Sequence, residues 1–353
     1  MRQSKRQLKP PLQVKNVAIM CCGGIGDSLL MMIVARHFRD AGYQVTVFGD
    51  SIDLVAPFFT GYAFAVPPPL VDLEAKLAFF DRVIVQNDHS ERAYFLFDLR
   101  GRRTDLQILF LFPTFCPRWR DGDLLFDRAW PMATNLAAAC CALLGKEKGV
   151  SGQRLCLSSA TVATLQKAKK NGILLPKGNV YRRFPKRIVF HPTSKAAVRN
   201  WNQRSYLKLA HQLRRRGCSI AFAVSPEERA KWLFVEREGI TLPAFSTLND
   251  VGAYLYESGF FIGNDSGLGH LASNLGVATL TISGDLSWVR LWRPDWTLGA
   301  LAVPYFPLPN FKGIGWRFRE RRWSYFVPVS RALRAFDSLK NAWEQRGKTG
   351  DVG

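Results

Sequence analysis

The sequence predicts an α/β protein built from two doubly wound, mainly parallel sheets that face each other across a cleft. Three observations carry that prediction. Short apolar runs of strand length alternate with segments of helical spacing along most of the chain, the pattern of a parallel sheet covered by helices on both faces. The alternation stops at a stretch rich in Gly, Pro and basic residues, NGILLPKGNVYRRFPK, and then restarts. A chain of 353 residues, 47% hydrophobic, is also long enough for two such units with cores of their own.

In the first unit NVAIMCC reads as a strand, GGIGD as a turn and SLLMMIVARHFRDAG as a helix ended by Gly42. YQVTVFGD is a second strand, followed by a helical stretch around 73–80. DRVIVQND and LQILFLF are further strands, and a long apolar helix over 131–144 closes the unit. The second unit begins with the strand RIVFHP and a helix over 204–216. The strand CSIAFAVS, a helix over 227–238 and the short strand ITLPAF follow. A helix over 248–257, the strand GFFIGN, a helix over 267–275 and the strand VATLTIS complete it. These readings divide the chain into a first domain over 1–170, a linker over 171–186 and a second domain over 187–325. A helical tail over 326–353 is expected to pack back onto the first domain.

The formal net charge of +21 implies an anionic partner: nucleic acid, a phospholipid surface or a phosphorylated substrate. The charge is clustered. No Asp or Glu occurs between Leu157 and Pro226, where Lys167, Lys169, Lys170, Lys177, Arg182, Arg183, Lys186 and Arg187 crowd together, and a second basic run spans 312–322. Some of these bases are expected to be ordinary solvated helix faces. Seven cysteines, an odd number without a C-x-x-C, fit reduced thiols in a cytoplasm rather than a disulfide framework or a zinc site. The N-terminus lacks the apolar core of a secretory signal, and no apolar run is long enough to span a bilayer. Any membrane contact is expected to be peripheral.

The stretch FFIGNDSGLGHLASNLGVATLTISG raises a question that packing alone does not answer, because Asn264, Asp265, Ser266, Gly267, Gly269 and His270 stand together at one turn. The first amides of a helix lack intrahelical acceptors, and the helix dipole turns its positive end toward the turn. Small residues there let an anion approach the backbone, so Ser266, Gly267 and Gly269 can cradle a phosphate. Asp265 can cap the helix or accept from a sugar hydroxyl. His270 can donate to a phosphate or be a packed core histidine.

That stretch resembles the nucleotide-sugar motif of glycosyltransferase family 9, the ADP-heptose:lipopolysaccharide heptosyltransferases, whose pattern runs I-G-x-D-[TS]-G-x-x-H-L-A-x-x-L-G. Two further segments match in order: MCCGGIGDSLL with the family's N-terminal G-[LI]-G-D loop, and FHPTSKAAVRNWNQRSYLKLAHQL with its H-P-x-[ST]…K-x-W-P stretch. The resemblance covers roughly 16–294. It implies the GT-B architecture, an inverting transferase and a metal-independent reaction with no cofactor beyond the nucleotide-sugar donor.

The family's catalytic base corresponds to Asp27, which by itself reads equally as an N-cap for the helix after it. Gly24 and Gly26 fall in its acceptor-side loop. Thr193 and Ser194 correspond to the hydroxyls that bind the diphosphate, while Asp265, Ser266, Gly267 and His270 correspond to the donor turn. Glu227 lies where an acid often holds the ribose, and Phe245 near the position that packs on the base. One departure is plain: the phosphate-binding Lys before x-Trp-Pro is Arg199, and the Pro is Asn202. Arg keeps the charge and can fork onto two phosphate oxygens, and Lys195 can share the task.

The expected partners are therefore a nucleotide-sugar donor, probed first as ADP-linked, an anionic lipopolysaccharide or related glycan acceptor, and the anionic inner face of the cytoplasmic membrane. Within the transferase reading a GT-B enzyme using another nucleotide sugar stays open, and two other classes compete. A basic nucleic-acid-binding protein would explain the charge, but no recognisable nucleic-acid module accompanies it. A dinucleotide oxidoreductase would need a third Gly where GGIGD is followed by Ser28 and Leu29.

Overall fold

The computed structural model describes residues 15–114, 116–145, 154–306 and 322–348. The N-terminal domain holds β1 (Asn16–Met20), β2 (Gln44–Phe48), β3 (Ala63–Ala65), β4 (Arg82–Gln86), β5 (Gln107–Phe112) and β6 (Leu124–Leu125). They pair in parallel in the order β3-β2-β1-β4-β5-β6. The C-terminal domain holds β7 (Phe184–His191), β8 (Ser219–Phe222), β9 (Ser258–Asn264), β10 (Ala278–Ile282) and β11 (Gly299–Ala302), parallel in the order β11-β10-β9-β7-β8.

The strand orders locate the functional region before any side chain is considered. In the first sheet the chain runs outward from β1 to β3, then crosses back to β4 on the other side of β1. In the second it runs from β7 to β8, then crosses back to β9. Ligands of doubly wound sheets lie at such reversals, beyond the carboxyl ends of the strands. The loops after β1 and β4, and those after β7 and β9, are therefore the ones that matter.

Helices α1 (Ile25–Asp40), α2 (Ile52–Val55), α3 (Leu70–Leu77), α4 (Glu91–Arg102), α5 (Met132–Leu143) and α6 (Ser159–Thr164) cover the first sheet. Around the second lie α7 (Gln203–Arg215), α8 (Pro226–Trp232), α9 (Phe234–Arg237), α10 (Leu248–Tyr256), α11 (Gly267–Asn274), α12 (Leu286–Trp292) and a C-terminal helix, Val329–Lys348. Local signals explain their ends. Gly42, at φ 89°, adopts the left-handed conformation beyond α1. Ser225 and Glu228 form a capping box on α8, and Thr247 and Asp250 form one on α10. Ser90 caps α4, a helix that the sequence reading passes over.

Several expectations are corrected. The helix expected over 227–238 is two short helices, α8 and α9, that meet at Leu233. The strand expected in ITLPAF is a single bridge between Ala221 and Thr241, since Pro243 has no N–H to continue a ladder. β7 starts at Phe184, within the expected linker.

The C-terminal helix does not pack back onto the first domain; it lies on the second. Its Ala332, Leu333, Phe336 and Leu339 share a buried core with Ile188, Phe260, Ile262 and Leu280, and Asp337 pairs with Arg216 at 2.8 Å. The reason is visible in its apolar stripe, which meets the open face of β10, β11 and α7.

A single apolar core joins the domains. Leu29, Met32, Phe58 and Ala137 on one side belong to the same buried cluster as Val251, Leu255, Leu271, Ala272 and Leu275 on the other. Beside it lies a polar clasp. Lys169 Nζ donates to the Asp295 carboxylate and carbonyl, both at 2.8 Å, Thr134 Oγ1 donates to the same carboxylate at 2.8 Å, and Trp296 Nε1 donates to the Lys169 carbonyl at 2.8 Å. Lys169, part of the basic run, is thus an interior residue of the domain joint. Arg182, between Phe260 and Trp343, and Arg187, on Ser258 and Tyr254, are likewise committed inward. The second basic run, 312–322, lies outside the described residues except for Arg322.

Candidate active site

The N-terminal half of the site is built on β1 and β4. β1 ends at Met20, and the loop Cys21–Cys22–Gly23–Gly24 leads into α1. Gly24 is the N-cap, with no side-chain cap bond, so Asp27 is not the cap that its residue type allows; it sits within the first turn. Its carboxylate turns back toward the loop, and a Cβ on Gly24 would stand 2.9 Å from Asp27 Oδ2. Gln86, buried at the end of β4, donates from Nε2 to Asp27 Oδ1 at 3.0 Å.

Burial, followed by the neighbouring carboxylates Asp265 and Asp88, outweighs Gln86 and Lys195 and pushes the Asp27 carboxyl up to about 6. Nearby, Arg92 pairs with Asp50 at 2.7 Å and the Cys22 thiol lies 3.6 Å from the Gln86 carbonyl. Burial raises both Cys21 and Cys22, which keeps them as thiols.

The C-terminal half comes from the loops after β7, β9 and β10. Asn264 ties the first two together: Nδ2 donates to the Pro192 carbonyl at 2.7 Å, and Oδ1 accepts from the Trp201 amide at 2.8 Å. Arg199 lies in the first loop, with its guanidinium 5.1 Å from the centre of the Trp288 ring. Trp288 is on α12, whose N-cap Asp285 accepts from the Ser287 and Trp288 amides. Its indole Nε1 donates to Asp265 Oδ2 at 3.0 Å. Burial raises the Asp265 carboxyl, against the pull of Trp288 and Arg199. Lys195 reaches to the other domain, its Nζ 3.8 Å from where a Cβ on Gly23 would lie.

The two halves touch. A Cβ on Gly26 would stand 2.9 Å from His270 Cδ2 and 3.4 Å from the Gly267 Cα. The N-termini of α1 and α11 thus meet through glycines, and a Cβ on Gly26 would have to displace the His270 ring. His270 is buried between this contact and Trp296, whose ring stands edge-on at 5.8 Å. Burial lowers its pKa to about 4 despite a bond to the Trp292 carbonyl, so the ring is neutral near pH 7 and its Nδ1 has no partner among the described residues. Ser266 Oγ is also buried without a partner among them.

Other expected donor residues are placed differently. Thr193 Oγ1 donates to Glu228 at 2.9 Å, and Ser194 Oγ donates to Asn200 Oδ1 at 2.7 Å. Glu227 is exposed and bound to Ser225, whose bond lowers its pKa; the inward acid is Glu228. Phe245 packs edge-on against Tyr254. Sequence reasoning missed Gln86, Glu228 and Trp288. Glu228 was legible as the third position of a Ser-x-x-Glu capping box, whereas nothing local to Gln86 or Trp288 points to partners 59 and 23 residues away. Among the described residues no group of three or more His, Cys, Asp or Glu is placed to hold a metal ion.

Two doubly wound parallel-sheet domains that meet at small-residue helix entrances have the architecture of the GT-B glycosyltransferases. More particularly, residues 130–294 match the family model of glycosyltransferase family 9 (heptosyltransferase), which supports a glycosyltransferase. Solved structures agree in fold. The family 9 glycosyl transferase from Veillonella parvula matches with a TM-score of 0.62 at 15% identity, over 92% of this chain and 97% of its own. The E. coli heptosyltransferase WaaC with ADP matches at 0.57 and 15%, over 92% and 99%. E. coli ADP-heptose lps heptosyltransferase II matches at 0.57 and 15%, over 93% and 99%. No curated protein matches the chain by sequence.

Proposed function

We propose that this enzyme transfers heptose from ADP-heptose, with inversion, to an anionic acceptor of the lipopolysaccharide-core type. The observation that carries the reading is Asp27: a carboxylate in the cleft, oriented by Gln86, raised to about 6 and set against the entrance of α11. A base of that pKa is ionised at neutral pH yet binds a proton well enough to take one in the transition state. The acceptor O–H gives its proton to Asp27 as its oxygen bonds to the anomeric carbon. The bond from that carbon to the diphosphate breaks, and the electron pair leaves with the nucleotide.

In this reading Arg199, Lys195 and the first amides of α11 receive the developing charge, without a metal. Two of the structural relatives bear ADP or ADP-heptose in their descriptions, which supports the choice of donor. The exposed bases Lys167, Lys170, Lys177, Arg183 and Lys186, in and beside the linker, suit peripheral attachment to an anionic leaflet on the cytoplasmic side. None of the described helices is long and apolar enough to cross a membrane.

The test is to incubate the protein with ADP-heptose and a heptose-free core acceptor, following ADP release and assigning the product anomer by NMR. UDP- and GDP-sugars run in parallel. Inverted product from ADP-heptose alone is expected. Retained configuration, or transfer from another nucleotide sugar in preference, overturns the proposal.

A further inference from the structure

Trp288 has no role in the chemistry above, yet it touches both groups that would meet the donor. Its indole N–H is spent on Asp265 Oδ2 at 3.0 Å, and one face carries the Arg199 guanidinium at 5.1 Å. Trp292 stacks on it, with centroids 5.3 Å apart and rings inclined by 24°. The α12 N-cap Asp285 fixes its backbone. Three loops that approach from different strands are thus locked by one ring. The Trp288 bond to Asp265 is made to Oδ2. A carboxylate with one oxygen pinned has its other oxygen set in direction, which is what recognition of a particular hydroxyl requires.

We propose that Trp288 is the positioning residue of the donor pocket, holding Asp265 to read a hydroxyl of the donor sugar and Arg199 to meet the diphosphate. The proposal rests on the assignment of the donor to the C-terminal domain. It separates two jobs within one side chain. The N–H serves the sugar, because only the carboxylate depends on it. The aromatic face serves the diphosphate, because a guanidinium over a ring keeps its outward N–H groups for phosphate oxygens. Asp265 also lies close enough to Asp27 to help raise it, so the sugar-reading carboxylate borders the reacting centre.

Trp288→Phe and Trp288→Ala, made in the full chain, divide the jobs. Phenyl keeps a face for Arg199 but has no N–H; Ala removes both. Dissociation constants for ADP and for ADP-heptose are measured by calorimetry. Trp288→Phe is expected to bind ADP within about twofold of the parent but ADP-heptose about tenfold or more weaker, the size of a lost bond to a charged group. Trp288→Ala is expected to lose ADP as well, by several-fold.

Equal losses of ADP and ADP-heptose in Trp288→Phe would make the residue a packing element and overturn the proposal. So would ADP-heptose binding that is unchanged. The donor assignment fails separately: a parent protein that binds neither ligand sinks that reading, and the Trp288 proposal with it. A parent that binds both, beside a Phe variant indistinguishable from it, sinks only the latter.

Discussion

Gly26 of α1 and Gly267 of α11 meet across the domain boundary so closely that a Cβ on Gly267 would stand 3.1 Å from the Gly26 amide nitrogen and 3.0 Å from Ile25 Cβ. The contact brings together two helix entrances, one beside the candidate base and one beside the candidate leaving-group site. Gly26→Ala and Gly267→Ala should each destabilise the closed arrangement by about 1–3 kcal/mol, the usual cost of overpacking. Both should lower turnover. Gly347, with open space around its Cβ position, supplies the control. Denaturant midpoints and kcat are the measurements; an unchanged Gly26→Ala enzyme would show that this contact is not the working geometry.

Asp27→Asn should lower kcat by about two to four orders of magnitude, the range for loss of a general base, with ADP binding retained. In the parent, kcat/KM should rise with pH through about 6 as the carboxylate ionises. Gln86→Leu removes a donor that favours the ionised form. The Asp27 pKa should then climb, and the acid limb of the profile should move to higher pH. A limb that stays fixed would mean that another group controls it.

The same carboxylate makes a stability prediction of opposite sense. Because its folded-state pKa is raised, the native protein binds this proton more tightly than the unfolded chain does, so ionising Asp27 costs native stability as pH rises from about 4 through 6. Asn at 27 carries no such cost. The difference in Tm between Asp27→Asn and the parent should therefore grow in the variant's favour over that interval and level off above it. A constant difference from pH 4 to 8 would refute the assigned shift.

Lys169→Met should be among the most damaging surface-unrelated changes, because it strands Asp295 in the domain joint. Breaking a buried pair from one side costs about 3–5 kcal/mol. The double variant Lys169→Met with Asp295→Leu should lose less than the two single losses summed, in a double-mutant cycle read by urea unfolding. Additive losses would mean that the two groups do not interact as described.

Neutralising the exposed bases Lys167, Lys170, Lys177, Arg183 and Lys186 to Gln should weaken co-sedimentation with anionic liposomes, since each near-surface base contributes about 1 kcal/mol. The effect should fade in high salt. Equal binding of the parent to neutral vesicles would remove the electrostatic explanation.

The alternation of strands and helices, and the turns that hold Asp27 and residues 265–270 just beyond strand ends, were legible because each rests on local pattern, whereas Arg199 was singled out only through the motif resemblance. What was not legible depends on partners remote in sequence. The C-terminal helix announces an apolar stripe but not which sheet receives it. Lys169 looks like any other base in a run of them until Asp295, itself held by Thr134, closes on it. Asp27 reads as a cap because Asp commonly is one; only the position of Gly24 at the cap and of Gln86 at the end of β4 distinguishes the two roles. Trp288 escaped for the same reason, its significance lying in Asp265 and Arg199 rather than in its own neighbours.

The apolar core shared between the domains carries a consequence for biosynthesis. During translation the strands of the N-terminal sheet all emerge before residue 126, and α5 follows, while the residues that cover its inner flank, from α10 and α11, are made much later. Until Leu271, Ala272 and Leu275 arrive, Leu29, Met32, Phe58 and Ala137 lack their final cover. A nascent chain with an uncovered apolar flank is prone to self-association and is a natural client for chaperones. Truncation after the first domain would freeze the protein at that stage.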